Sequence, residues 1–314
     1  MEAGNTRDVP PLSRCERSPI ADATLNHLMS VALFKQVKHA LRTLKPSEVR
    51  AEASRKIRVG LVAATAEELG RMETILAPEH LSRDRRLDAL EMLVRGGGSG
   101  CNIELYESSL EKPRGAFAFD LENPKECVRH VLNAREDLML PLARQLEPFR
   151  QPVCYRVIHE VAKENALFCL ATALPDVVPN ILSLPWSIAA YGSDSVFLTV
   201  NQVRMAFLLA AASDRRVGYS EQRSEIASIT AGSFGWRAIA RELAGKIPLG
   251  GGLIPKAGIA WAGTYAVGLS IERLYRLGYG FTRAERRAVY EEAFEHGKRV
   301  AVGLVDALKH RPAA

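Results

Sequence analysis

Residues 57–63 (IRVGLVA) read as a buried strand, and the stretch behind them is where a nucleotide-binding domain would carry its phosphate cradle. Such a cradle needs glycines that let backbone amides approach, a lysine for the β and γ phosphates, and a hydroxyl for magnesium. Here the strand runs into Ala63, Ala64, Thr65, Ala66, Glu67 and Glu68. The lysine and the Ser/Thr behind it are missing, and the two glutamates would repel phosphate. The run Gly96-Gly97-Gly98-Ser99-Gly100 precedes a strand rather than a helix. A phosphate cradle wants a helix N-terminus after it, so a flexible linker is the expected role. Asp120 falls at a strand end, where α/β domains often place a working carboxylate. With no lysine-bearing loop to serve, it is expected to cap.

Other chemistries fail on spacing. His159-Glu160 opens HEVAKE, but a zinc protease needs a second histidine at 163 to put both ligands on one helix face, and Lys163 stands there. The histidines form no ligand pair, no GxSxG occurs, and no cysteine has a local histidine partner. The five cysteines (15, 101, 127, 154 and 169) are odd in number and form no CxxC, which suits reduced, buried thiols. No catalytic set, metal site or cofactor is expected. An enzyme assembled from distant residues would have to draw on Asp120, Asp176 and Arg204, the oddly placed polar residues.

The elements that carry these residues fall into an α/β part and an all-α part. The chain has 314 residues, enough for about two domains. A mean hydropathy of −0.06 excludes a polytopic transporter. The net charge of +6 is spread along the chain without an aromatic-basic signature, so nucleic acid is not an expected partner. Residues 1–22 read as a disordered lead-in without the apolar core of a signal peptide. Residues 23–46 read as a basic amphipathic helix ended by Pro46. Over 55–150, strand candidates at 57–63, 102–106 and 116–119 alternate with helices at 67–76, 85–94 and 124–146, the pattern of a small, mostly parallel sheet. Over 153–310 strand signals stop, and helices are expected at 153–173, 195–212, 219–245, 249–270 and 282–308. The last opens with a capping box, Thr282 and Glu285.

Two apolar segments stand out. Residues 195–212 nearly match the thickness of a bilayer core, yet Asn201, Gln202 and Arg204 sit mid-segment as a buried polar cluster. That helix needs a protein partner whichever solvent surrounds it. Residues 249–270 carry one charge, Lys256, and place Gly258, Ala262, Ala266 and Ser270 on one face. Small residues at that spacing form a helix–helix packing face, in lipid or in a tight soluble hairpin.

The blocks around NQVRMAFLLA (201–210), KIPLGGG (246–252) and GTYAVG (263–268) are similar to a bacterial family, domain-of-unknown-function family 697, over roughly residues 160–300. The resemblance implies a helical, often membrane-associated module found beside GTPase domains, with no catalytic residues to carry over. It also gives the first half a meaning, as a small degenerate GTPase-like three-layer domain that has lost nucleotide chemistry. The expectation is a non-enzymatic scaffold or anchor on the cytoplasmic side of the inner membrane, meeting the membrane through 249–270 and 195–212. Homo-oligomerisation through the Gly258 face, or a GTPase or other protein partner, goes with it. The alternative is a soluble helical module that partners a separate GTPase.

Overall fold

The computed structural model describes residues 36–173, 194–232 and 252–309. The expected lead-in, the amphipathic helix before residue 36, Cys15, Asp176, the prolines at 175, 179 and 185, and positions 233–251 lie outside them. The described elements are α1 (36–41), α2 (Pro46–Ala53), β1 (Val59–Val62), α3 (Ala66–Leu76), α4 (Arg83–Met92), β2 (Leu93–Arg95), β3 (Ile103–Glu107), β4 (Phe117–Phe119), α5 (Pro124–Ala134), a 3-10 turn (Glu136–Leu138), α6 (Met139–Gln145), α7 (Glu147–Ala173), α8 (Asp194–Ala212), α9 (223–232), α10 (Leu253–Leu277) and α11 (Arg283–Lys309). The chain is thus a small parallel sheet followed by helices, and among the described residues no strand follows Phe119.

The sheet has four strands in the order β2-β1-β3-β4, all parallel, where the sequence suggested three. The unexpected strand is β2. The helix read to residue 94 stops at Met92, and Leu93–Arg95 pairs in register with Val59–Leu61. The helix expected over 124–146 is also broken, by the 3-10 turn at Glu136–Leu138.

The glycine run corrects the linker expectation. Residues 96–102 carry the chain from the top of β2 back to the foot of β3 across β1. Parallel neighbours normally need a dozen or more residues and a helix for this. Here the path is about 12 Å, two strand spacings sideways and two residues back, within reach of seven residues. Gly96, Gly97 and Gly98 all take positive φ. Gly97 lies so flat on the sheet that a Cβ on Gly60 would stand 2.8 Å from its Cα. Glu104 Oε1 accepts from the Gly98 amide at 2.7 Å and pins the loop. The run is a packed crossover, and glycine is required because backbone passes over backbone.

That crossover changes the layering. Helices join β1 to β2, but β2–β3 and β3–β4 are joined without one. The helices α3, α4 and α5 all adjoin α6 or α7. On that side Val59, Leu61, Ile103, Leu105 and Phe119 are buried in a core that continues without a break into Phe149 of α7 and Val203 and Phe207 of α8. The far face, with Gly60, Val62, Glu104 and Tyr106, carries the glycine crossover where a three-layer domain would have its second helical layer. The expected boundary at 150–153 falls inside α7, which starts at Glu147 and serves both halves.

In the helical half α10 lies against α7, α8 and α11. A second core forms around Trp261, Ala262 and Ala266 of α10, Ala162, Ala166 and Leu170 of α7, and Ala293 and Phe294 of α11. The capping box of α11 is present: Thr282 N–H donates to Glu285 at 2.8 Å and Glu285 N–H to Thr282 Oγ1 at 3.3 Å.

Candidate functional site

In a sheet of this order the place for a ligand is beyond the carboxyl ends of β1 and β3, where the connections diverge. The first wall there is the start of α3. Thr65 is its N-cap; its hydroxyl accepts from Glu68 N–H at 3.2 Å, and the Glu68 carboxylate accepts from Thr65 N–H at 3.0 Å. Two of the amides that a phosphate would use are therefore engaged by the protein's own side chains, and Glu67 and Glu68 put negative charge in the first turn.

The second wall is the end of β3. Glu107 is buried, and its carboxylate accepts from the hydroxyls of Ser108 and Ser109 and, at 2.9 Å, from Ser109 N–H. Hydrogen bonds from the Ser109 hydroxyl and amide, then Ser108, hold its carboxyl below the ordinary value against the opposing effect of burial. Asp120, beyond β4, accepts from Glu122 N–H at 2.8 Å, a local turn. Both strand ends are closed by their own neighbours.

The helical half holds a polar network between α7, α8 and α10. Asn165 and Thr264 are fully buried and Asn201 and Gln202 nearly so. Asn165 donates to Thr264 Oγ1 at 2.6 Å, Asn201 to Asn165 Oδ1 at 2.8 Å and to Glu164 at 3.0 Å, and Gln202 to Thr264 Oγ1 at 3.3 Å. Arg204 donates to Asn201 Oδ1 at 2.9 Å and pairs with Glu164. The structure therefore brings Asn201, Gln202 and Arg204 together with Glu164, Asn165 and Thr264, which sequence reasoning missed. The signal for Glu164 and Asn165 was the polar triplet Lys163-Glu164-Asn165, directly before the apolar run that ends the helix. Asp120 and Arg204 lie in different halves and form no joint site.

The small-residue face of α10 is filled from within the chain. Gly258 packs on α11, where an added Cβ would meet Lys298 N and Cγ at 3.2 Å. Gly297 of α11 returns the contact: its Cβ would stand 2.8 Å from Gly258 O. Ala262 and Ala266 lie in the second core, and Ser270 is half-buried beside Gly280. Trp261 stacks on Tyr265 at 4.5 Å and lies 4.8 Å from the His296 ring.

Burial makes three thiols inert: it pushes Cys127 and Cys169 up to about 12 and Cys154 up to about 11. Among the described residues no cluster of three or more potential metal ligands occurs. One described helix, α8, is long and apolar enough to cross a membrane, and 78% of its apolar window is buried inside the protein. No family model, curated protein or solved structure matches the chain.

Proposed function

We propose that this protein is a non-enzymatic scaffold, built from a GTPase-like α/β half without nucleotide chemistry and a helical half that works as one packed binding module. The observation that carries the reading is the capping box at Thr65 and Glu68, which occupies the phosphate position with a carboxylate. The strand order, with β1 central and a helix directly behind it, supports the GTPase-like origin. Calorimetric titration of the full chain with GTP, GDP and ATP tests it. No heat of binding is expected up to millimolar nucleotide; a micromolar dissociation constant overturns the reading.

Of the two forms such a scaffold could take, the burial of α8 supports the soluble module that partners another protein, such as a separate GTPase. Moving α8 into lipid would forfeit its packing on α7 and α10 and strand Arg204, whose charge is expensive at a bilayer centre. Apolarity of α8 and α10 supports the membrane-anchored form instead. Recovery in a high-speed supernatant without detergent is expected, and carbonate-resistant pelleting with membranes would decide for the anchor.

A further inference from the structure

Along the sequence the net charge of +6 looks spread out, but the fold gathers it. Residues 36–56 and 215–223 hold nine cations against three carboxylates, an excess equal to the net charge of the whole chain. The two segments form one surface. Arg50 of α2 donates to Val217 O at 2.9 Å, and the Tyr219 hydroxyl donates to the carbonyls of Leu41 and Leu44 at the end of α1. Val37, Ala40 and Leu44 are buried on the inner side of this segment, and Lys38 and Arg42 stand on the outer side.

Three of the cations are engaged within the protein: Lys45 by Glu48, Arg55 by Asp137, and Arg215 by the Tyr275 ring and carbonyl. The other six, Lys38, Arg42, Arg50, Lys56, Arg216 and Arg223, are exposed and form no ion pair among the described residues. Two carboxylates, Glu52 and Glu221, oppose them, and Glu221 already accepts from the Ser220 hydroxyl at 2.6 Å. The cations stand on the sides of two helices and a turn rather than around a cavity. A partner must therefore offer a broad negative field, not a single anion. The exposed aromatic side chain of this surface, Tyr219, has its ring held edge-on to Phe207, which gives bases no stacking platform. Anionic lipid headgroups supply such a field, and each cation near them is worth roughly fivefold in affinity.

We propose that the surface of α1, α2 and the 215–223 turn docks by charge on an anionic lipid membrane, with no helix inserted. The contact leaves α8 buried among its protein partners, so it is independent of an anchor that would insert that helix.

Co-sedimentation of the full chain with vesicles tests this, using phosphatidylcholine alone and a mixture containing one-third phosphatidylglycerol. At low salt the chain is expected to bind the mixture roughly tenfold or more tightly than phosphatidylcholine. Molar salt is expected to release it, because salt screens charge and leaves an inserted helix in place. Arg42→Glu and Arg216→Glu, one in each segment, are each expected to weaken binding to the mixture roughly tenfold or more. Arg299→Glu, the same charge change at an exposed position on α11, is expected to keep wild-type binding within about twofold. Equal binding to both vesicles overturns the proposal, as does retention at molar salt or wild-type binding in either segment variant. An equal loss in Arg299→Glu also overturns it, because net charge alone would then account for the binding. So does double-stranded DNA bound more tightly than the mixture, which would make the surface a nucleic-acid site. All three side chains lie at exposed positions, so the variants fold.

Discussion

The strand ends of the α/β half and the helix interfaces of the helical half settle their polar groups in opposite ways. At the strand ends of the α/β half polar groups close on near neighbours: Thr65 with Glu68, Glu107 with Ser108 and Ser109, Asp120 with Glu122. In the helical half they cross between helices: Asn165 to Thr264, Asn201 to Asn165, Arg204 to Glu164. The glycines differ likewise. Gly60 lets a loop pass over a strand, whereas Gly258 and Gly297 let two helices touch through backbone. Local closure seals a strand end and fixes little else. Long-range closure sets the register of three helices, because any slip leaves a buried group without water or partner.

Substitutions that break closure between helices should therefore cost more than those that break closure at a strand end. The largest effect is expected at Gly297→Val, which drives side-chain atoms into the Gly258 carbonyl; about 3 kcal/mol should be lost in urea unfolding. Asn165→Ala should follow at about 2 kcal/mol, because Thr264 and Asn201 each lose a buried partner. Gly60→Ala adds a single methyl against the Gly97 backbone, so about 1.5 kcal/mol is expected. Thr65→Ala removes one helix cap and should cost about 1 kcal/mol by the same assay. If Thr65→Ala matched Asn165→Ala, the distinction between local and long-range closure would fall.

The smallest effect is a pH dependence. The folded carboxyl of Glu107 lies below its ordinary value of 4.5, so its stabilisation is fully present above that value. It fades as the pH falls through the lowered folded value. Glu107→Gln should flatten that acid limb relative to wild type, in thermal melts taken between pH 3 and 6. An unchanged limb would mean that the serine cage does not act on the carboxylate.

What could be read in the sequence was what short-range physics decides. The capping box of α11, the helix behind β1 and the run of α8 follow from periodicity and cap residues, and they lie where expected. β2 was invisible because three residues behind a helix carry no period of their own. The glycine run was misread because its purpose depends on Gly60, a partner more than thirty residues away. The middle of α8 announced that it needed a partner, but Glu164 as the counter-charge and Thr264 as the shared acceptor emerged only from the helix packing.

The core that runs unbroken from β1 to α8 also bears on how the chain leaves the ribosome. Every strand is made before α7, and α8 ends more than ninety residues after β4. At ordinary elongation speeds this is a delay of roughly 5 to 20 seconds. During it, the apolar sides of α6 and α7 lack the helix that will bury them. The nascent α/β half is then a ready client for a chaperone, and a truncation that ends before α8 should collect on the chaperone rather than accumulate as a free domain.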